Sequence, residues 1–328
     1  MAVALRGTSF KLPGQIGEPY HGKVGDVYTI QHEAGELLAV VRTDRISAFD
    51  VVLPEPVPFK GQVLNQMSAE LLAATQTTAP NWLIESPDPN VSVGFKARPF
   101  KVEMITRGFL LGTSWRGYKA GMRNLCGNQL PDGMVEFQSF GTPLLTPTTK
   151  VDAGHDENIA PDQIVENGLA TSGEYEEMSH LALSLFAEGQ AKAGERGLVL
   201  ADTKYEFGRL ATGQIVVIDE VHTPDSSRYF TLDQYKAYLD GQTTERPEQL
   251  SKEFVREWLV SQGFSGEEGQ EPPRMSEEFR EQISTRYIDL YQRMLGRSFE
   301  AADESSEATQ LSRIRENTVS CLGKLTLS

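Results

Sequence analysis

The stretch Leu200-Ala201-Asp202-Thr203-Lys204-Tyr205-Glu206-Phe207-Gly208, with Ile215-Val216-Val217-Ile218-Asp219-Glu220 after it, constrains this chain more than any other. Leu198-Val199-Leu200 and the run from Ile215 are apolar enough for central strands. Ala211-Thr212-Gly213-Gln214 between them reads as a hairpin turn. With Thr212-Gly213 as a two-residue loop, Glu206 and Asp219 oppose each other across the ladder and project to one face. Alternation along the strand adds Asp202 and Lys204 to that face. Opposed carboxylates repel unless a cation lies between them. Charged strand residues usually form a solvated face, but these flanks argue for a buried surface whose charges need partners. Three acids and a lysine so placed suit Mg²⁺ and phosphate.

The 328 residues can bury a substantial core, as one large domain or two lobes. A formal charge of -15 disfavours nonspecific binding to nucleic acid and attraction to anionic membranes. Local clusters of Lys and Arg can still bind small phosphates. Cys126 and Cys321 fit no metal-ligand spacing and read as free thiols. The N-terminal residues lack a signal-peptide core, and the run Leu37-Leu38-Ala39-Val40-Val41 is only strand-sized. These features lead us to expect a cytoplasmic protein.

Strands are expected over Val24–Ile30, Leu37–Arg42 and Val102–Thr106. A helix is expected over Val63–Ala74, with Leu64, Met67, Leu71 and Leu72 on one stripe. Gly141–His155 is rich in Thr, Pro and Gly and reads as an extended functional loop. Glu174–Lys192 is expected to be a helix that buries Tyr175, Met178, Ala182, Leu185 and Phe186. Further helices are expected over Leu232–Leu239, Lys252–Gln262 and Glu277–Leu295. Residues 299–328 open on an acidic, Ser-rich segment and read as peripheral or partly disordered.

Several smaller constellations carry chemistry. Gly22-Lys23-Val24-Gly25 pairs a close-approach turn with a cation, although such turns more often carry Gly for steric reasons. Asp44, Ser47 and Asp50, within Thr43–Asp50, serve equally as self-capping turn residues or as a site. Arg107 precedes Gly112-Thr113-Ser114, where Ser114 would N-cap a short helix through Tyr118 and Thr113 would donate to an anion. Arg116 reads as a surface residue. Thr146–Lys150 and Gly154-His155-Asp156-Glu157-Asn158 place polar groups in the Pro/Gly-rich loop, where a lone His is more often structural than a ligand. Pro224-Asp225-Ser226-Ser227-Arg228 reads as a tight turn leading to a helix at Thr231, with Ser227 and Arg228 able to hold phosphate.

In this order, from about Gly22 to Leu295, the segments resemble the SAICAR synthetase family of purine biosynthesis. Asp202-Thr203-Lys204-Tyr205-Glu206-Phe207-Gly208 fits the family's Asp-x-Lys-x-Glu-Phe-Gly signature, and Val102–Arg107 through Gly112 resembles its other signature. The chain departs from the pattern at Gly25, where a basic residue is usual, and at Thr106, Leu111 and Thr113. The Gly25 departure leaves Lys23 as the only clear cation of the nucleotide loop.

The resemblance implies an α+β, two-lobed fold. A mainly antiparallel N-terminal sheet lobe (1–106) would bind nucleotide. A mixed α/β lobe (107–298) would bind substrate and Mg²⁺, with ATP in the cleft between them and 299–328 as a tail. It also implies an ATP-dependent ligase that joins CAIR to L-aspartate through an acyl phosphate, giving SAICAR, ADP and phosphate. The partners would be these small molecules, with no nucleic acid or membrane, and the assembly a monomer or small homo-oligomer. Glu206 and Asp219 would hold Mg²⁺-nucleotide, with Asp202 as a further ligand. Lys204 would meet the CAIR carboxylate, and Gly22, Lys23 and Val24 the ATP phosphates. Arg107, Thr113, Ser114, Asp225, Ser227 and Arg228 would surround the CAIR phosphate. Asp44, Ser47, Asp50, His155, Asp156, Glu157 and Asn158 are further substrate candidates. A small-molecule kinase would use the same acids and lysine, and a non-catalytic nucleotide-binding homologue is a third reading.

Overall fold

Two antiparallel sheets account for most of the strands, and the chain builds them one after the other. The structure, a computed structural model, describes residues 3–150 and 156–325. Strands β1 (Tyr20–His21), β2 (Gly25–His32) and β3 (Gly35–Arg42) open the first sheet. A small hairpin, β4 (Ser47–Ala48) and β5 (Val51–Val52), and helix α1 (Lys60–Ala74) follow. Strands β6 (Leu83–Asp88) and β7 (Val91–Phe95) then complete the order β1-β2-β3-β7-β6.

The second sheet starts with β8 (Arg98–Phe109), which runs unbroken through the 106/107 boundary drawn from the sequence. Helix α2 (Gly112–Lys119), a short hairpin of β9 (Asn124–Leu125) and β10 (Asn128–Gln129), then β11 (Ser139–Leu145) and β12 (Thr148–Thr149) follow. Helices α3 (Pro161–Glu166) and α4 (Ser172–Glu195) lead into β13 (Leu198–Arg209), β14 (Ile215–Ile218) and β15 (Ser227–Thr231). Strand β13 is the centre of this sheet: β8 pairs along one side, and β15 and then β14 along the other. The chain ends in α5 (Leu232–Leu239), α6 (Glu253–Ser261), α7 (Glu277–Leu295) and α8 (Glu307–Leu322).

Helix α4 is started by a reciprocal cap, in which Thr171 N–H donates to Glu174 Oε2 at 2.7 Å and Glu174 N–H to Thr171 Oγ1 at 3.4 Å. It packs on the second sheet through Met178, Ala182, Leu185 and Phe186, all fully buried, whereas Tyr175 is only half-buried. Close approach depends on Gly189, where a Cβ would lie 2.5 Å from the His222 ring and 2.8 Å from Leu200.

Three sequence expectations change. The hairpin has a three-residue loop rather than Thr212-Gly213 alone. Gly213 N–H donates to Leu210 O, Leu210 N–H donates to Gln214 O, and Gly213 takes φ 92°, the arrangement of a type I turn closed by a left-handed residue. The register therefore slips by one, and Glu206 opposes Ile218, not Asp219. The supposed extended loop at Gly141–His155 instead begins as edge strand, with β11 and β12 paired to β8. The ladder shifts between Ser139 and Leu144, where Pro143 sits. Pro224–Ser226 forms the expected turn and a helix does begin directly after Thr231, but strand β15 lies between them.

The C-terminal residues also differ from expectation, because α8 is an integral layer. Leu37, Ala39 and Val41 of β3 pack with Ile314, Cys321 and Leu322 of α8 and with Leu5 and Leu12. Leu38 and Val40 point to the opposite face, toward the second sheet. A strand buried on both faces reads as a continuous apolar run, which is the pattern at Leu37–Val41. Ahead of α8, Glu304 is buried: Gln62 Nε2 donates to its Oε1 at 2.7 Å, while its Oε2 has no partner among the described residues. Burial and the nearby Asp44 push the Glu304 carboxyl up to about 8, against a weaker opposing pull from Gln62 and Arg313.

Ile314→Ala is expected to lower stability by about 2–5 kcal/mol in chemical denaturation, because the cavity opens under β3. Glu304 is protonated in the native state and ionises near its ordinary value, about 4.5, when unfolded. Its contribution is thus unaffected below about pH 4.5 and becomes increasingly unfavourable as pH rises toward about 8. Urea midpoints at pH 5 and pH 8.5 should show Glu304→Gln gaining on the wild type only at the higher pH.

Candidate functional site

A cleft of about 1100 Å³ lies between the two sheets. Val27, Leu38, Val40 and Phe95 form an apolar roof from the first sheet, and Trp82, Ala97 and Ile218 close its inner end. The floor is β13. Its alternation holds: Asp202, Lys204 and Glu206 line the cleft, while Tyr205 and Phe207 enter the core. Among the described residues Lys and Arg slightly outnumber Asp and Glu along these walls, whereas the whole chain has 31 basic and 46 acidic residues.

Three cations from three different segments neutralise Glu103, Glu206 and Asp219. Lys204 Nζ lies 2.9 Å from Glu103 Oε1 on β8 and 2.5 Å from Glu206 Oε1. Lys150, just beyond β12, bonds the other oxygen of Glu206. Arg42, at the end of β3, bonds Asp219. Asp219 reaches the cleft although the register gives it no partner in the ladder, because its backbone is left-handed at φ 66° and turns the side chain out of the strand. Burial alone would raise Asp219, but Arg42 and Lys204 hold it down to about 2. Burial likewise opposes ionisation of Glu206, and Lys204 and Lys150 outweigh it. Burial would lower Lys204, but Glu206 and Glu103 raise it well above the usual lysine range. At neutral pH Glu206, Asp219 and Lys204 are therefore all charged.

The far end of the cleft is built around guanidinium groups. Asp202 accepts from Arg107 Nη1 at 3.2 Å and from Arg228 Nη1 at 2.6 Å. Arg228 also spans to Glu253 Oε2, at 3.2 and 3.1 Å, and Arg256 Nη1 donates to the same oxygen at 3.1 Å. Burial resists ionisation of Glu253, but Arg228 and Arg256 pull it down to about 2. Gly112, at φ 57°, lets α2 start against this group, since a Cβ there would lie 2.8 Å from Arg228 Nη2. Thr113 lines the cleft and accepts from Arg116 Nη2 at 3.2 Å. Asp225 lines it too, but its carboxylate is held by Lys60 at 3.0 Å, Lys252 at 3.4 Å and the Tyr287 hydroxyl at 2.7 Å.

Other expected residues separate into two groups. Gly22, Lys23, Val24, Asp50, Asp156 and Ser227 line the cleft, with Lys23 Nζ 2.5 Å from Asp50 Oδ1. Asp44 does not. It is fully buried, and its two oxygens accept the backbone N–H of Leu5 at 2.7 Å and of Gly61 at 2.9 Å. Ser47 is buried in the β4–β5 hairpin, away from the cleft. Ser114 is inside α2 and not at its cap, with its hydroxyl donating to Leu111 O at 2.8 Å. Glu157 and Asn158 are exposed, and their backbones pair with β12 outside the cleft. His155 lies outside the described residues.

Arg42, Glu103, Lys252, Glu253 and Arg256 line the cleft without having been singled out, and Arg116 lines it despite reading as surface. Glu103 shares its face of β8 with Arg107, a signal legible in the alternation. Arg42 terminates an apolar strand, while the charges of α6 look like an ordinary solvated helix face. Gly25 has a steric reason. It pairs with Arg42, and a Cβ there would lie 2.9 Å from Val41 O and 3.7 Å from Arg42 Cδ. The Arg42 side chain therefore passes close to Gly25 on its way into the cleft, and Arg45 donates to the carbonyls of Gly22 and Lys23.

Among the described residues no three His, Cys, Asp or Glu side chains converge as a ready metal cage. The three-acid set expected from the sequence is not assembled, because Asp202 faces two arginines. Glu206 and Asp219 remain: two ionised oxygen donors on one cleft wall. That donor set suits Mg²⁺, which binds through one or two carboxylates together with substrate phosphates. No helix among the described residues is long and apolar enough to cross a membrane.

A sequence model of the SAICAR synthetase family matches residues 18–273. A phosphoribosylaminoimidazole-succinocarboxamide synthase of Bacteroides thetaiotaomicron is 51% identical over 98% of this chain and 99% of its own. One of Legionella pneumophila is 42% identical over 89% and 91%. Among solved structures, a SAICAR synthase of Saccharomyces cerevisiae complexed with SAICAR superposes with a TM-score of 0.74 at 29% identity, over 90% of this chain and 100% of that one. A type-2 SAICAR synthetase in complex with ADP shares the fold, with a TM-score of 0.66 at 20% identity, over 87% and 100%. Family model, relatives and fold agree: the chain belongs to the SAICAR synthetase family.

Proposed function

We infer that this chain is an ATP-dependent ligase that joins CAIR to L-aspartate and releases SAICAR, ADP and phosphate. The observation that carries this reading is the β13 face, where a charged lysine is flanked by two ionised acids. An apolar slot lies at one end of that face and a guanidinium cluster at the other. A nucleotide base suits the slot under Val27, Leu38, Val40 and Phe95. Its phosphates then run past Lys23 and Arg42 toward Lys204. The phosphate of a ribonucleotide suits Arg107, Thr113 and Arg228. The two sheets thus correspond to a nucleotide-bearing and a substrate-bearing lobe.

A carboxylate is a poor electrophile, so amide formation needs its oxygen converted to a leaving group. We propose that a carboxylate oxygen of CAIR attacks the terminal phosphorus of ATP and ADP leaves. The resulting acyl phosphate is then attacked by the aspartate amine, which loses a proton as phosphate departs. Lys204 supports this sequence by holding positive charge where carboxylate and phosphoryl group meet, and its raised pKa keeps it charged throughout. Glu206 and Asp219 would hold Mg²⁺, which when bound neutralises charge on the phosphoryl oxygens. Asp202 orients Arg107 and Arg228, and Asp225 anchors the turn that carries Ser227. The free, buried thiols of Cys126 and Cys321 accord with a cytoplasmic enzyme.

ADP release measured with ATP, Mg²⁺, CAIR and aspartate, each omitted in turn, should depend on all four. Sustained release without aspartate would point to phosphoryl transfer alone and sink the ligase reading. Glu206→Gln should lower turnover on the order of 100-fold or more, because the group acts on charge that develops in the transition state. Near-wild-type turnover with an intact Mg²⁺ requirement would remove Glu206 from the assignment.

A further inference from the structure

Helix α8 lies beyond the residues matched by the family model and contributes nothing to the cleft walls, yet one of its polar contacts leads there. Arg313 Nη1 donates to both oxygens of Asp88 at 2.7 Å, and its Nη2 donates to Asn90 Oδ1 at 3.0 Å. Asp88 and Asn90 form the β6–β7 turn, and both are almost wholly buried. Asn90 in turn holds the main chain of Arg42 on both sides. Its Nδ2 donates to Arg42 O at 3.0 Å, and its carbonyl accepts from Arg42 N–H at 2.7 Å. The Arg42 side chain then enters the cleft and bonds Asp219.

Three features make this link specific. Only one orientation of the Asn90 amide satisfies Arg313 and Arg42 together, so the two contacts fix each other. Gly61, in the first turn of α1, presses on the same junction: a Cβ would lie 2.5 Å from Arg42 O and 2.9 Å from Asn90 Nδ2. The Arg313 fork spans two acceptors, a geometry that a lysine cannot reproduce.

We propose that Arg313 is a positioning residue which, through Asn90, fixes Arg42 and thereby sets the affinity of the cleft for nucleotide. The proposal rests on the reading above, that the Arg42–Asp219 end receives the nucleotide phosphates. Without the fork, Asp88 keeps its bonds from Asn90 N–H and Asn317, but the Asn90 side-chain oxygen loses its partner and the amide's hold on the Arg42 carbonyl loosens. A guanidinium displaced by even a fraction of its bond length meets phosphate poorly.

The test is binding of Mg²⁺-ATP and, separately, of CAIR, by calorimetry on the full chain, with far-UV circular dichroism as a check of fold. Trp82 offers a second signal, since it lines the cleft and its Nε1 donates to Asp219 O at 3.2 Å. Arg313→Ala should weaken nucleotide about fivefold and leave CAIR within about twofold, the scale of remote coupling. Arg313→Lys, which keeps the charge beside Asp88 but not the fork, should fall between, and it carries the test if the alanine variant does not fold. In an Arg42→Lys background, Arg313→Ala should add almost nothing. An unchanged nucleotide Kd in the folded Arg313 variants, an equal loss for both ligands, or a full additional effect beside Arg42→Lys would each overturn the proposal. An unchanged nucleotide Kd in Arg42→Lys alone would overturn the reading of that end of the cleft, and the proposal with it.

Discussion

The ion pairing of Lys204 with Glu103 and Glu206 is the constraint around which the rest of the second sheet is arranged. A central strand that carries three charged residues on one face is unstable unless neighbours answer each charge. Strand β8 supplies Glu103 and Arg107, the end of β12 leads to Lys150, β15 supplies Arg228 and the end of β3 supplies Arg42. Strands beside β13, the edge of its sheet and the end of a strand in the first sheet therefore all contribute charges to the same surface. The antiparallel topology is what permits this, because it brings residues distant in sequence to adjacent register positions, as with Asp202 beside Arg107 and Arg228.

Much of this was legible before any coordinates. The alternation Asp202, Lys204, Glu206 places all three on one face, and α5 and α7 have the bounds expected from periodicity and turn residues. What failed was resolved by backbone geometry. The hairpin symmetry about Thr212-Gly213 was off by one because Gly213 is the left-handed third residue of a longer loop. Asp219 nevertheless arrives beside Glu206, through a left-handed residue and not through pairing. The repulsion between the acids is also answered by side chains of the protein, Lys150 and Lys204 on Glu206 and Arg42 on Asp219. Asp44 and Ser47 stand out in the sequence as polar residues directly after a strand, in a block that resembles the family, and they serve equally as turn or site. Whether an Asp caps buried N–H groups or meets a ligand depends on chain paths that no local pattern reveals.

The tail illustrates a different limit. Its acidic, Ser-rich opening looked unlike a packed segment, and α8 itself is only modestly apolar. The stronger clue lay some 270 residues earlier, in the unbroken apolar run of β3. One face of that run roofs the cleft, so the opposite face needs a cover, and only long-range packing identifies α8 as that cover.

The guanidinium cluster has a consequence for discrimination between anions. Arg107 and Arg228 are already engaged in part, since Asp202 accepts from both and Glu253 accepts from Arg228. Any incoming anion must compete with carboxylates held in place at no cost in translational freedom. A monovalent, weakly hydrogen-bonding anion such as chloride gains too little to displace them, whereas a dianionic phosphate with three acceptor oxygens can recruit the same donors. An anion that recruits these donors therefore has to offer more hydrogen-bond acceptance than the internal acids already give.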